Sequence, residues 1–187
     1  MLFFLNFFKK DRGTMASIFK VMITAIAISA SSFGLTDTAF ADDPDFISFS
    51  AGLYDWDLKN EEGAEFRLEY RSNVKFWGFK PLVSLAGTST GQGFLGAGIL
   101  LDVYLGRRFV FTPSLVPHLY VGGNTKLDLG YIVEIRSQLE ASYRFDDRSR
   151  LGVAVSHYSN AGLGDDNVGT ESAMVYYSVP FEKLFRN

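Results

Sequence analysis

No cysteine occurs in the 187 residues, and proline appears only five times. Without cysteine there is no disulfide framework, no Cys-based zinc site and no thiol nucleophile. Scarce proline and the lack of any low-complexity tract exclude a disordered or fibrous chain. Charge is also thin: 21% of residues are charged and the formal net charge is −3, so there is no basic field for nucleic acid. No apolar run reaches the roughly 20 residues that a transmembrane helix needs. Aromatic and apolar residues are plentiful instead, with 18 Phe, 9 Tyr, 18 Gly and 47% hydrophobic residues in all. A chain of this length makes one domain, or at most a large and a small one. The composition suits an aromatic-rich β protein and does not choose between water and membrane.

The first 41 residues have the layout of an export signal. Lys9, Lys10, Arg12 and Lys20 form a basic lead, and Val21–Ala30 is an apolar run of ten. Small and polar residues follow, ending in Ala39-Phe40-Ala41 before Asp42 and Asp43. Basic, apolar, then small-x-small is the order of a secretory signal peptide, here with cleavage expected after Ala41. Met15 is an alternative start, because a signal beginning there keeps the apolar run. Removing residues 1–41 leaves 146 residues, 42–187, for the fold.

That remainder alternates with period two. In Ala64–Arg71 every even position is apolar and every odd one charged. From Tyr131 to Phe145 the odd positions are apolar, with Ser137 as the exception, and the even set includes Glu134, Arg136, Gln138, Glu140 and Arg144. At 3.6 residues per turn a helix would scatter such a pattern over its whole surface, so these segments read as strands. The expected strands are 46–56, 63–72, 75–88, 93–105, 108–121, 127–145, 149–160 and 170–181, separated by turn-like stretches rich in Gly, Asn, Asp and Ser. Eight long strands in hairpin succession predict an all-β, eight-stranded antiparallel up-and-down barrel. Two orientations satisfy the alternation. A soluble lipid-binding barrel turns its apolar face inward. A transmembrane β-barrel turns it to lipid and fills a narrow interior with Glu65, Arg67, Glu69, Arg71, Glu134, Arg136 and Glu140 as ion pairs. Aromatic-rich apolar faces, spanning-length strands and alternating short and long connections favour the outer-membrane form.

The seventh connection carries chemistry. His157 and Ser159 are two apart on a strand, so both leave the same face with Cα atoms roughly 6.5–7 Å apart. A hairpin centred on Gly164 sets His157 opposite Glu171, at the roughly 4.5–5.5 Å of cross-strand partners. A hydroxyl, an imidazole and a carboxylate then share one patch, as nucleophile, base and orienting acid. Asn160 begins the loop, and its amide, with a backbone N–H near Gly162, is a candidate oxyanion hole. The trio continues the apolar stripes of its strands, Leu151, Val153 and Val155 on one and Ala173, Val175 and Tyr177 on the other. It therefore lies on the lipid-facing side, where ionisable groups are costly. A substrate that is itself a membrane lipid gives such groups a reason to be there.

A His–x–Ser pair alone is a weak signal, but His157-Tyr158-Ser159-Asn160-Ala161-Gly162, with Glu171 fourteen residues after His157, resembles the signature of the lipid A 3-O-deacylase family. These are acyloxyacyl-hydrolase-type enzymes of the Gram-negative outer membrane. The resemblance is specific over residues 149–181 and covers the rest only as an eight-stranded plan of matching length. It implies a barrel esterase that removes the 3-position acyl chain of lipid A in lipopolysaccharide. Ser159 would be the nucleophile, His157 the general base, Glu171 the orienting acid and Asn160 the oxyanion-stabilising residue. It implies no cofactor and no metal, and it leaves a homo-oligomer open. With both ends of the exported chain in the periplasm, strand seven runs outward and delivers His157–Asn160 to the leaflet that holds lipopolysaccharide. The competing reading is a non-catalytic structural or adhesive barrel, which has no need of this trio. Three smaller expectations complete the picture. His118 packs inside the barrel, Asp165 and Asp166 form a solvated loop tip, and Phe185 stands in for the aromatic residue that often ends such barrels.

Overall fold

The computed structural model describes residues 43–56, 62–122 and 126–185. The expected signal segment, its cleavage point and the turn residues 57–61 and 123–125 lie outside the described residues. The strands are β1 (Phe46–Tyr54), β2 (Gly63–Arg71), β3 (Lys80–Thr88), β4 (Gly93–Leu100), β5 (Val103–Leu105), β6 (Phe109–Val121), β7 (Val133–Arg144), β8 (Arg150–Ser159) and β9 (Thr170–Pro180), followed by a 3₁₀ turn over Phe181–Leu184. All pairings are antiparallel; apart from those around β5 they join strands consecutive in the chain, and β1 pairs with β9. Both β4 and β5 pair with β6, so these two segments form one broken stave and the sheet closes with eight. The interruption falls at Leu101-Asp102, where the Asp102 carboxylate turns to Lys80 at 2.9 Å and Arg150 at 3.0 Å.

The two faces decide the orientation that alternation left open. Phe49, Phe66, Leu85, Leu95, Leu119, Val153 and Val175 are exposed on the outer wall, whereas Glu65, Arg67, Glu69, Arg136 and Glu140 are buried inside. Such a barrel is inside-out relative to a soluble one, and the soluble lipid-binding reading falls with that finding. No described helix is long and apolar enough to cross a membrane; the strands carry the apolar surface. Inside, Arg71 bridges Glu69 at 2.7 Å and Glu140 at 2.8 Å, and Arg136 reaches Glu69 at 2.6 Å. Arg67 joins Glu65, Gln138 and the hydroxyls of Tyr158 and Tyr176. Glu134 is the correction to this set: both its carboxylate oxygens are buried without a hydrogen-bond partner.

Two further departures concern strand ends. Strand β7 begins at Val133, not at residue 127. Leu127 and Leu129 instead fold into the barrel end and pack with Tyr54, Phe94, Tyr120 and Tyr158. Phe94 lies 4.7 Å from Tyr158 and 5.3 Å from Tyr120, ring to ring. Gly130, at φ +83°, turns the chain between this plug and the strand. Gln92 fastens the plug by donating to the Leu127 carbonyl at 2.6 Å. Strand β3 likewise starts at Lys80, because residues 72–79 form a separate small hairpin.

Candidate active site

Strand β8 ends at Ser159 and β9 starts at Thr170, so the site sits where the β8–β9 hairpin leaves the plugged end of the barrel. The ladder sets His157 opposite Glu171, in the expected register. The imidazole Nδ1 lies 3.2 Å from Glu171 Oε1, with side chains 34% and 24% exposed. On its other flank His157 pairs with Ser137 of β7, and Ser159 pairs with Ile135. Ser137 is the residue that broke the apolar alternation of its strand, and its place beside the imidazole extends the polar patch to four residues. Strand periodicity puts Ser159 on the same outer wall, two residues beyond His157.

Gly169 is a member that sequence spacing did not single out. It stands one step beyond the last β8–β9 pair, opposite Ser159. A methyl group there would lie 2.7 Å from His157 Cε1 and 3.3 Å from Nε2. The Cε1–Nε2 edge of the ring is therefore seated directly against Gly169, tilted toward the end of the hairpin that carries Ser159. Only a residue without Cβ leaves that seat open. The signal available in the sequence was a glycine two residues before Glu171, too common a pattern to read alone.

Asn160 and Gly162 build the turn that follows. The Asn160 amide is buried and donates to the carbonyls of Asp166 at 2.6 Å and Leu129 at 3.4 Å. Its Oδ1 accepts from the Gly162 N–H at 2.9 Å, while the Asn160 N–H donates to Asn167 Oδ1 at 3.1 Å. Both expected oxyanion donors are thus engaged within the loop, and Asn160 ties that loop to the plug segment. Ala161 and Gly162 take φ of +54° and +81° to make the reversal.

His118 is inside the barrel, as expected, with Nδ1 2.9 Å from the Val116 carbonyl and its ring against Phe94 and Tyr158. Among the described residues no group of three or more His, Asp or Glu side chains is placed to hold a metal ion.

A closed eight-stranded barrel with an apolar outer wall and a charged interior defines an outer-membrane β-barrel, and a Ser, His and Glu patch lies on that wall at one rim. The family model described as Lipid A 3-O-deacylase (PagL) matches residues 46–180, and the chain belongs to that family. The curated protein Lipid A deacylase PagL of Pseudomonas aeruginosa is 36% identical over 53 residues, which is 28% of this chain and 31% of that protein. The chain thus spans about a third of that relative's length in the match. The crystal structure of the outer membrane enzyme PagL superposes with a TM-score of 0.60 at 19% identity, covering 73% of this chain and 99% of the other, a likeness of fold.

Proposed function

We propose that this protein is an outer-membrane serine esterase that hydrolyses the ester-linked 3-position acyl chain of lipid A. The observation that carries the reading is the His157–Glu171 pair, two residues from Ser159 and on the lipid-facing wall. A water-facing catalytic trio would serve many substrates, but one on this wall meets the acyl chains of membrane lipids. Residues 1–41 then serve as the export signal and are cleaved after Ala41.

The chemistry follows from the three groups. Glu171 holds His157 at Nδ1, which gives Nε2 the proton traffic and stabilises the imidazolium. Ser159 Oγ attacks the ester carbonyl carbon as Nε2 takes its proton, and the carbonyl oxygen becomes an oxyanion. The intermediate collapses with departure of the 3-position sugar oxygen, which receives the proton from the imidazolium. Water, deprotonated by Nε2, then attacks the acyl-serine carbonyl, and the fatty acid leaves as the Oγ–acyl bond breaks and the imidazolium returns its proton to Ser159 Oγ. We assign oxyanion stabilisation to the Asn160–Gly162 turn, where the Asn160 amide or the Gly162 N–H exchanges its loop partner for the substrate oxygen. The apolar wall below the site, Val153, Val155, Ala173 and Val175, accompanies the acyl chain.

The test is incubation of the purified protein with lipopolysaccharide in mixed micelles. The reading expects release of free 3-hydroxy fatty acid and a lipid A lighter by that one chain. Intact lipid A under conditions where the barrel is folded contradicts it.

A further inference from the structure

At the barrel end opposite the candidate site, residues 72–79 form a short hairpin beyond the last β2–β3 barrel pair. The Ser72 N–H donates to Pro81 O at 3.0 Å, and Phe76 and Phe79 exchange both backbone hydrogen bonds at 2.8 and 3.0 Å. Its root is fixed, since the Asn73 N–H donates to Asp45 Oδ1 at 2.7 Å. Trp77 and Gly78 close the turn at φ +52° and +88°. Positive φ at both central positions is the primed turn that matches hairpin twist, and its usual first residue is Asn, Asp or Gly. A bulky side chain in the left-handed region is a genuine outlier. Here that position is given to a tryptophan, and its side chain is wholly exposed, at 101%.

Trp77 is not alone. Val74, Phe76 and Phe79 are also exposed, so half of an eight-residue hairpin is apolar surface that folding leaves uncovered. The same end of the barrel carries an aromatic girdle. Tyr70 meets Phe181 edge-on at 5.9 Å and Phe109 meets Tyr143 edge-on at 5.7 Å, while Phe181 packs at a tilt against Phe185 at 4.9 Å. The hairpin rises directly from the strand of Tyr70 and continues that lipid-facing surface. Tryptophan, with an apolar ring and one N–H, partitions to the boundary between headgroups and acyl chains.

We propose that hairpin 72–79 is a membrane-interface anchor whose Trp77 tip inserts among the headgroups of the phospholipid leaflet at the periplasmic end. Insertion covers the exposed ring and offsets the backbone strain of the turn. A fixed depth at this end also sets the height of His157 and Ser159 at the other. The leaflet assignment rests on the orientation that presents the candidate site to lipopolysaccharide, but the test below does not depend on catalysis.

Trp56→Phe leaves Trp77 as the sole tryptophan, because the chain has two. The variant is reconstituted in phosphatidylcholine nanodiscs, with or without lipids brominated near the headgroup end of the acyl chain. An inserted Trp77 gives blue-shifted emission, loses most of it to the brominated lipid and resists quenching by aqueous iodide. Emission at the wavelength of water-exposed tryptophan, quenched by iodide and untouched by bromine, overturns the proposal; a free hairpin and a docking site for a periplasmic protein both give that result. Should Trp56→Phe fold poorly, the emission lost between the native chain and Trp77→Asn reports the same residue, and asparagine suits the turn better than tryptophan.

Discussion

His157 Nδ1 lies 3.2 Å from Glu171 Oε1 across the β8–β9 ladder, on the outer wall of the barrel. An imidazole and a carboxylate on a lipid-facing surface are a liability in a barrel that only needs to fold. Their position near a rim lessens that cost, and their pairing orients the ring. Glu171→Gln keeps a hydrogen-bonding side chain of the same length and removes the charge. The expected result is a fall in kcat of about 10⁴-fold, by analogy with loss of the orienting carboxylate in a serine triad. Thermal unfolding of the variant barrel should stay close to that of the parent, which separates a chemical loss from a structural one.

Gly169→Ala places a methyl group 2.7 Å from His157 Cε1, so the ring has to move. A displacement of about 1 Å in a catalytic group costs up to roughly 10²-fold in rate. The loss is expected in kcat with KM little changed, since Gly169 seats the base. Steady-state kinetics on a soluble ester substrate checks this, and wild-type turnover by the variant contradicts the seating role.

Asn160→Ala separates two duties of one residue. Removing the amide leaves the carbonyls of Asp166 and Leu129 without this donor; Asp166 is exposed and turns to water, whereas the buried Leu129 carbonyl left unsatisfied costs about 1–3 kcal/mol. If the amide also exchanges to the oxyanion, kcat falls by about 10²–10³-fold. Urea unfolding reads the first effect and kinetics well below the unfolding midpoint reads the second. A stability loss with unchanged kcat would leave Asn160 as a loop brace and move the oxyanion role elsewhere.

The interior predicts its own weak points. Glu69 accepts from Arg71 at 2.7 Å and from Arg136 at 2.6 Å, all three buried. Glu69→Ala strands the Arg136 guanidinium inside the barrel and leaves Arg71 with Glu140 alone, and should destabilise it by roughly 3–5 kcal/mol. Equilibrium unfolding from lipid vesicles measures the change. The same substitution leaves the outer-wall patch untouched, so activity below the melting transition should survive.

The C-terminal turn is held to the β7–β8 connection by Lys183, whose Nζ donates to Asp147 Oδ2 at 2.7 Å. That hydrogen bond, with those from Ser149, lowers the Asp147 carboxyl to about 2. Because the folded value lies below the ordinary carboxylate value of about 3.9, the tie is fully present above that pH. It is lost as pH falls through about 2. Carboxyl-carbon NMR titration checks the midpoint, and Lys183→Met should raise it.

Much of this was legible in the sequence because a period-two pattern has one reading once both faces are written out. The register of the β8–β9 hairpin followed from a centre at Gly164, and the ladder pairs His157 with Glu171 as that centre requires. What alternation could not show was where a strand stops. Leu127 and Leu129 continue the odd-numbered apolar set of β7, yet they plug the barrel end because Gly130 turns the chain. Phe76 and Phe79 likewise read as strand, and a two-residue turn between them makes a separate hairpin. The Glu134 carboxylate sat in the right alternation for an ion pair, but alternation specifies a face and no partner. Ser137 was visible only as an exception, and its meaning depended on which strand lay beside it.

The most direct test of the central claim is the mass spectrum of lipid A from Gram-negative cells expressing the parent chain or Ser159→Ala. The parent should yield lipid A lacking the 3-position hydroxyacyl chain. The variant, folded and present in the outer membrane at the same level, should leave lipid A intact. Undiminished deacylation by Ser159→Ala would contradict the assignment of Ser159 as nucleophile and with it the mechanism built on His157 and Glu171.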